Sequence, residues 1–406
     1  MKIPFCLPLI DKDVVDEVND CLLNTGWLTS GPKVQQLEKE FAKLTNAPAA
    51  LCVNSWTSGA MLILKWFGVK PGDEIIIPAY TYSATALCAM TIGAIPVMVD
   101  IGDDFNIATE KIKAAITPKT KAILPVDFGG NPCNYDDILA LVNQEEVKDL
   151  FVAETERQEK LGRLLVLSDS AHSVGATYNG REAGVFTDVT IFSLHSVKNI
   201  TAGEGGAICL NLPAPFDIKE ELQFLKYFSL NGQTKSAFEK NKVGAWRYDI
   251  IDQGLKVNMP DICAAIALAQ IRKYRTDMLP ERKAIYEQYN DVFKKLDWVQ
   301  LPPQDSPSKT SSYHLYALRI KNITETQRDE IIQYVSERGV GVNVHYIPMA
   351  MLTLFKNRGY KIEDYPNTYD SYSREISLPI YNNLGKDKVD YVIKSIIDGY
   401  HHVVGA

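Results

Sequence analysis

Leu164-Leu-Val-Leu-Ser-Asp169-Ser-Ala-His172 is the stretch on which the reading of the fold turns. Four aliphatic residues follow one another without polar alternation and then give way to an aspartate. Such a run suits a strand covered by helices on both faces. Similar short runs recur along the chain at 51–55, 74–79, 96–101, 121–126, 189–194 and 206–210. Helix-like stretches separate them, among them 58–66, 82–91, 109–115 and 135–143. This alternation predicts an α/β fold with a mostly parallel central sheet.

The character changes near residue 260. Residues 261–274 and 281–296 read as helices separated by Pro280, and the proline-rich run Leu301–Lys309 follows. A strand at 312–321, a helix at 326–338 and a second strand at 340–347 complete the pattern. Two domains are expected, a large α/β domain over 1–260 and a smaller α+β domain over 261–406. The charged segment 144–163 reads as a helical excursion with a solvated face.

Composition narrows the class. The chain has 406 residues, 46% hydrophobic and 23% charged, enough for a large core. A net charge of -7 argues against nucleic acid as the main partner. The seven cysteines show no CxxC or Cys/His metal-ligand spacing, and several sit in apolar runs as reduced thiols would. No metal is expected. Neither a signal-like segment nor a bilayer-length apolar run is present, so a soluble, cytoplasmic protein with no membrane contact is expected.

The richest segment for chemistry is Ser193-Leu-His-Ser-Val-Lys198-Asn-Ile-Thr-Ala-Gly-Glu-Gly-Gly206. A strand ends in polar residues, presents a lysine and enters a glycine-rich turn that leaves room beside it for a flat group. The glycines precede a strand instead of opening a helix, which excludes a dinucleotide-binding turn. Asp169 ends its strand at the sheet edge where ligands of α/β proteins gather; capping a helix is its other reading. An aspartate and a lysine at two such strand ends fit a pyridoxal 5'-phosphate (PLP) site. The carboxylate would keep the pyridine nitrogen protonated, and the lysine would anchor the cofactor and shuttle protons. Asn54-Ser-Trp-Thr57-Ser58-Gly59 opens a helix, where hydroxyls and free amides serve a phosphate or simply cap. Tyr82, just beyond a strand, would stack on a ring or pack in the core.

In order and spacing, these segments resemble the DegT/DnrJ/EryC1/StrS family of sugar aminotransferases. The resemblance also draws on Gly26-Trp-Leu-Thr-Ser-Gly-Pro32, Val69-Lys-Pro-Gly-Asp-Glu-Ile75 and Ala115-Ile-Thr-Pro-Lys-Thr-Lys121. It implies a fold-type-I PLP enzyme, a homodimer with shared sites, using glutamate and a nucleotide-linked 4-keto-6-deoxy sugar. By the same resemblance Lys198 is the Schiff-base residue and Asp169 the partner of the ring nitrogen. Tyr82 stacks, Thr57, Ser58 and Ser193 hold the phosphate, and His172 lies beside the ring. His314, His345 and Tyr346 fall in segments like those that line the sugar-nucleotide cleft, although either histidine by itself reads equally well as a satisfied imidazole. Two departures stand out. Trp56 replaces a small residue, and Gly254-Leu-Lys256-Val-Asn-Met259 replaces a GYNxRM-like run, so Lys256 would supply the contact to the neighbouring subunit's phosphate. The length of 144–163 is similar to a subgroup making 4-amino-4,6-dideoxy or trideoxy sugars on UDP. A sugar dehydratase on the same scaffold would carry histidine where this chain has Lys198; a non-catalytic binding protein is the other alternative. His401 and His402 are expected to be incidental at a frayed end.

Overall fold

The structure is a computed structural model and describes residues 1–241 and 243–405. Its centre is a seven-stranded sheet of β1 (Ala49–Val53), β2 (Glu74–Pro78), β3 (Ile95–Val99), β4 (Thr120–Ile123), β5 (Leu165–Asp169), β6 (Val189–Ser193) and β7 (Gly206–Leu210). The spatial order is β1-β7-β6-β5-β4-β2-β3. Six strands run one way, and β7 runs against both of its neighbours. The fully apolar runs are explained by two cores, one on each face. On β5, Leu165 and Leu167 enter one core while Val166 enters the other, as the two-residue period of a strand requires.

The helices are cut where local chemistry dictates. The Ser55 hydroxyl accepts from Ser58 N–H to start the helix Trp56–Phe67, and Gly68 ends it in the left-handed region at φ 88°. Pro280 lies in the first turn of Leu279–Phe293, which follows Asp261–Lys273 without a break through the π-helical turn Tyr274–Met278.

The second unit is a three-stranded antiparallel sheet of β8 (Val299–Gln300), β9 (Tyr316–Ile320) and β10 (Glu375–Leu378). Helices Leu279–Phe293, Glu325–Glu337 and Lys386–Val404 pack around its apolar side chains. The strand expected at 340–347 forms only single bridges, Val340 with Ile3 and Asn343 with Ser377. Gly341 lies so close to Phe5 N that a Cβ there would come within 2.8 Å of it, and beyond it the segment turns into the cavity described below.

Helix Asp261–Lys273 sends Ala264, Leu268 and Ile271 into the large unit's core, whereas Ile3 belongs to the small unit's core. Segment 144–163 forms two short helices, Glu145–Lys148 and Glu156–Leu161. Most of its charges are exposed, but Gln158 is buried and donates to Phe67 O at 3.0 Å. The C-terminal end is not frayed, for His402 lies in Lys386–Val404 and stacks on Tyr334 with ring centres 4.8 Å apart. Among the described residues, no helix is long and apolar enough to cross a membrane.

Candidate active site

The strand ends of the large unit and the loops of the small one enclose a cavity of about 700 Å³. Asp169 closes β5 and Ser193 closes β6, with Lys198 five residues further along the loop into β7. Thr57 and Tyr82 line the same cavity from the large unit, and His314, His345 and Tyr346 from the small one. Of eleven residues singled out from the sequence, only Ser58 and Lys256 do not line it. Ser58 Oγ is held at the helix cap by Asn54 Oδ1, at 2.5 Å, and by Ser55. Ser55 lines the cavity in its place. Lys256 is exposed, and its amine sits on Asn258 Oδ1.

Burial sets the electrostatics. The Asp169 carboxyl is pushed up to about 7 by its burial, against the pull of Thr85, Ala171 N–H and Lys198. Thr85 Oγ donates to one carboxyl oxygen at 2.9 Å and Ala171 N–H to the other at 3.2 Å. Burial lowers the Lys198 amine to about 8, with the charge of Asp169 pulling it back up. Desolvation thus opposes both charges, and a bound cationic ring would favour the aspartate as an anion.

The histidines are held in defined tautomers. Gly129 N–H donates to His172 Nδ1 at 3.2 Å, so Nε2 carries the proton and donates to the Tyr346 hydroxyl at 3.1 Å. Asn199 Nδ2 donates to Ser312 O and Tyr274 Oη, which turns its Oδ1 toward His314 Nδ1 at 2.8 Å. His314 therefore carries its proton on Nδ1. Burial, followed by nearby positive charge, holds both imidazoles well below their usual range, so both are neutral. One loop joins them: the carbonyl of Gly129 accepts from His314 N–H at 3.0 Å. Beneath that loop Asp127 accepts from Tyr135, Ser170, Ser173 and Cys133 N–H, which fixes it in place.

Sequence reading passed over Thr85, Asn199 and the N-terminal residues Phe5 and Cys6 of the cavity wall. Thr85 follows closely on Tyr82, and Asn199 adjoins Lys198, so proximity was their only signal. Phe5 and Cys6 gave none, because the N-terminus reaches the site through the small unit.

The pattern of the DegT/DnrJ/EryC1/StrS aminotransferase family matches residues 8–397. The chain belongs to this family. It is 36% identical over 401 residues to the spore coat polysaccharide biosynthesis protein SpsC of Bacillus subtilis (strain 168), covering 98% of this chain and 96% of that one. Spr1654 of Streptococcus pneumoniae, named as a sugar aminotransferase, has been solved in PMP, apo and PLP forms. Its PMP form superposes with a TM-score of 0.94 at 38% identity, over 99% of this chain and 100% of that one. PseC of Helicobacter pylori, an aminotransferase of pseudoaminic acid biosynthesis, matches at TM-score 0.86 and 25% identity over 99% and 100% of the two chains.

This family member is a PLP-dependent sugar aminotransferase. The cavity fits the cofactor. Asp169 is a buried carboxyl that has no cation in hydrogen-bond contact among the described residues, Lys198 is an amine of lowered basicity, and the start of Trp56–Phe67 offers amides without intrahelical acceptors. A Cβ on Gly206 would lie 2.8 Å from the Ser55 carbonyl, so glycine lets β7 pass beneath that helix start.

Proposed function

We propose that this aminotransferase moves an amino group from glutamate to C4 of a nucleotide-linked 4-keto-6-deoxy sugar, with UDP as the nucleotide. The observation that carries this reading is the single cavity in which Asp169 and Lys198 face His314, His345 and Tyr346. At about 700 Å³ it extends beyond the lysine and aspartate into the small unit, as a large second substrate requires. The polysaccharide role named for SpsC and the pseudoaminic acid role named for PseC both suit an amino-sugar product.

PLP, when bound, supplies the electron sink for bond changes at the carbon bearing nitrogen. Asp169 would hold a proton on the ring nitrogen. Lys198 Nζ takes a proton from the α-carbon of glutamate, and in the second half-reaction it delivers one to C4 of the sugar. Thr57, Ser193 and the amides opening Trp56–Phe67 would hold the phosphate, Tyr82 would cover the ring, and the uncharged His172 would lie beside it. Ser58 acts one step back by fixing that helix start. His314, His345 and Tyr346 orient the sugar nucleotide.

The active unit in this reading is a homodimer in the cytoplasm, where its seven free cysteines remain reduced. Val243, Trp246, Tyr248, Ile250 and Ile251 form an exposed apolar run just before Lys256. Burying that run against a second copy would carry Lys256 toward the partner's phosphate.

Incubation with glutamate and a panel of UDP-, dTDP- and GDP-linked 4-keto sugars tests the reading. An amino sugar and 2-oxoglutarate should appear together, fastest with the UDP sugar. No amino sugar from any member of the panel would overturn it.

A further inference from the structure

Glu375 is fully buried on β10, yet it does not line the cavity. Its Oε2 accepts from the backbone N–H of His345 at 3.0 Å. Its Oε1 is hydrogen-bonded to the hydroxyl of Ser377, which in turn meets His345 Nδ1 at 2.8 Å. Ser377 is also fully buried, and His345 lines the cavity. Three side chains thus form a chain from a buried carboxyl to the substrate-facing wall, and Nε2 is the imidazole nitrogen left for a ligand.

We propose that Glu375, acting through Ser377, sets which nitrogen of His345 carries the proton and so decides whether the imidazole offers the sugar nucleotide a donor or an acceptor. Glu375 is a positioning residue in this scheme, and the inference rests on His345 facing the sugar as proposed above. With Glu375 ionised, the Ser377 hydroxyl donates to the carboxylate and has only lone pairs for His345. The proton then sits on Nδ1, and Nε2 is an acceptor. With Glu375 protonated, its O–H donates to Ser377, the serine hydroxyl donates to Nδ1, and Nε2 becomes the N–H donor. Oε2 keeps the backbone N–H in both states, so the loop need not move. The net proton enters from the cavity at His345 Nε2, while the Nδ1 proton passes to the Ser377 oxygen and the serine proton to Glu375.

The surroundings place this change within the working range. Burial pushes Glu375 up to about 8, opposed by Ser377, His345 N–H, Arg328 and Arg319. Tyr80 and Tyr346 also feel its charge. His345 itself is lowered to about 3 by burial and then by Lys198, so it stays neutral while Glu375 titrates. At neutral pH the donor form prevails; above about 8 the acceptor form takes over.

The test is nitrogen NMR of the imidazole in PLP-loaded enzyme without sugar, with thermal melting of each variant as the folding check. In wild type the Nδ1 and Nε2 signals of His345 should exchange character as pH passes about 8. Glu375→Gln should lock Nε2–H at every pH, since its carbonyl oxygen must take the His345 N–H and so leaves the NH2, a donor, for Ser377. Ser377→Ala should break the link, and Ser377→Thr should restore it. With the sugar nucleotide, Ser377→Ala should raise KM about tenfold, the scale of one hydrogen bond, with a smaller change in kcat. A tautomer that ignores pH and all three substitutions overturns the relay even if the enzyme makes amino sugar. Failure to make amino sugar overturns the activity reading and leaves the NMR result to stand by itself.

Discussion

The two walls of the cavity are built by different means. On the large unit, Asp169 and Ser193 end adjacent parallel strands, with Lys198 close behind, so the sheet sets their spacing directly. On the small unit, His314, His345 and Tyr346 sit outside regular strands, each held by a contact from far along the chain. The proposed reaction puts its chemistry on the rigid wall and its recognition on the wall assembled from loops. Damage to the first should therefore strike kcat, and damage to the second chiefly KM.

The sharpest break should come from Lys198→Ala, with amino transfer down about 10³–10⁴-fold in a coupled assay for 2-oxoglutarate. Borohydride reduction of wild type, followed by peptide mapping, should place the pyridoxyl group on Lys198; a label on another lysine would dissolve the assignment. Asp169→Asn should cost about 10²–10³-fold in kcat.

Asp169→Asn has a second signature in the cofactor-free protein. The folded carboxyl ionises near 7, whereas the unfolded chain ionises in the usual carboxylate range. Between those values the unfolded state sheds its proton first, so wild-type stability falls as pH rises through the window. The asparagine variant lacks this loss and should gain on the order of 3 kcal/mol over wild type by pH 8, read as denaturant midpoints. A gap that does not change with pH would mean that Asp169 is not desolvated as the structure shows it.

On the loop wall, Asn199→Ala frees the His314 ring and should raise KM for the sugar nucleotide about tenfold, with kcat less affected. A larger loss in kcat would move His314 from recognition to chemistry. The smallest effect should be that of Lys256→Ala, a several-fold weaker retention of PLP that worsens with salt. Loss of that effect in a monomerising Trp246 variant would tie Lys256 to the neighbouring subunit.

Much of the first wall was legible beforehand. The apolar run ending at Asp169 gave both a buried strand and the strand end that lines the cavity, because a parallel sheet writes itself as uninterrupted hydrophobic runs. Ser58 is held at the cap of its helix while Ser55 and Thr57 line the cavity, and sequence cannot tell which of several hydroxyls a helix start takes for its own cap. The short strand β10 and its Glu375 escaped notice, and 340–347 read as a strand it does not form. Their alternation is local, but their pairing depends on which segment lies alongside.

By itself, then, the sequence determined the α/β core, the ends of its strands, and the aspartate and lysine placed there, because side-chain period and burial are local consequences of chain chemistry. Only the tertiary structure decided the tautomers of His172, His314 and His345, the N-terminus as part of the wall, and the line from Glu375 through Ser377. Those depend on hydrogen bonds between residues far apart in the chain, as between Ile3 and Gly341 or between His172 and Tyr346, and no short-range pattern records them.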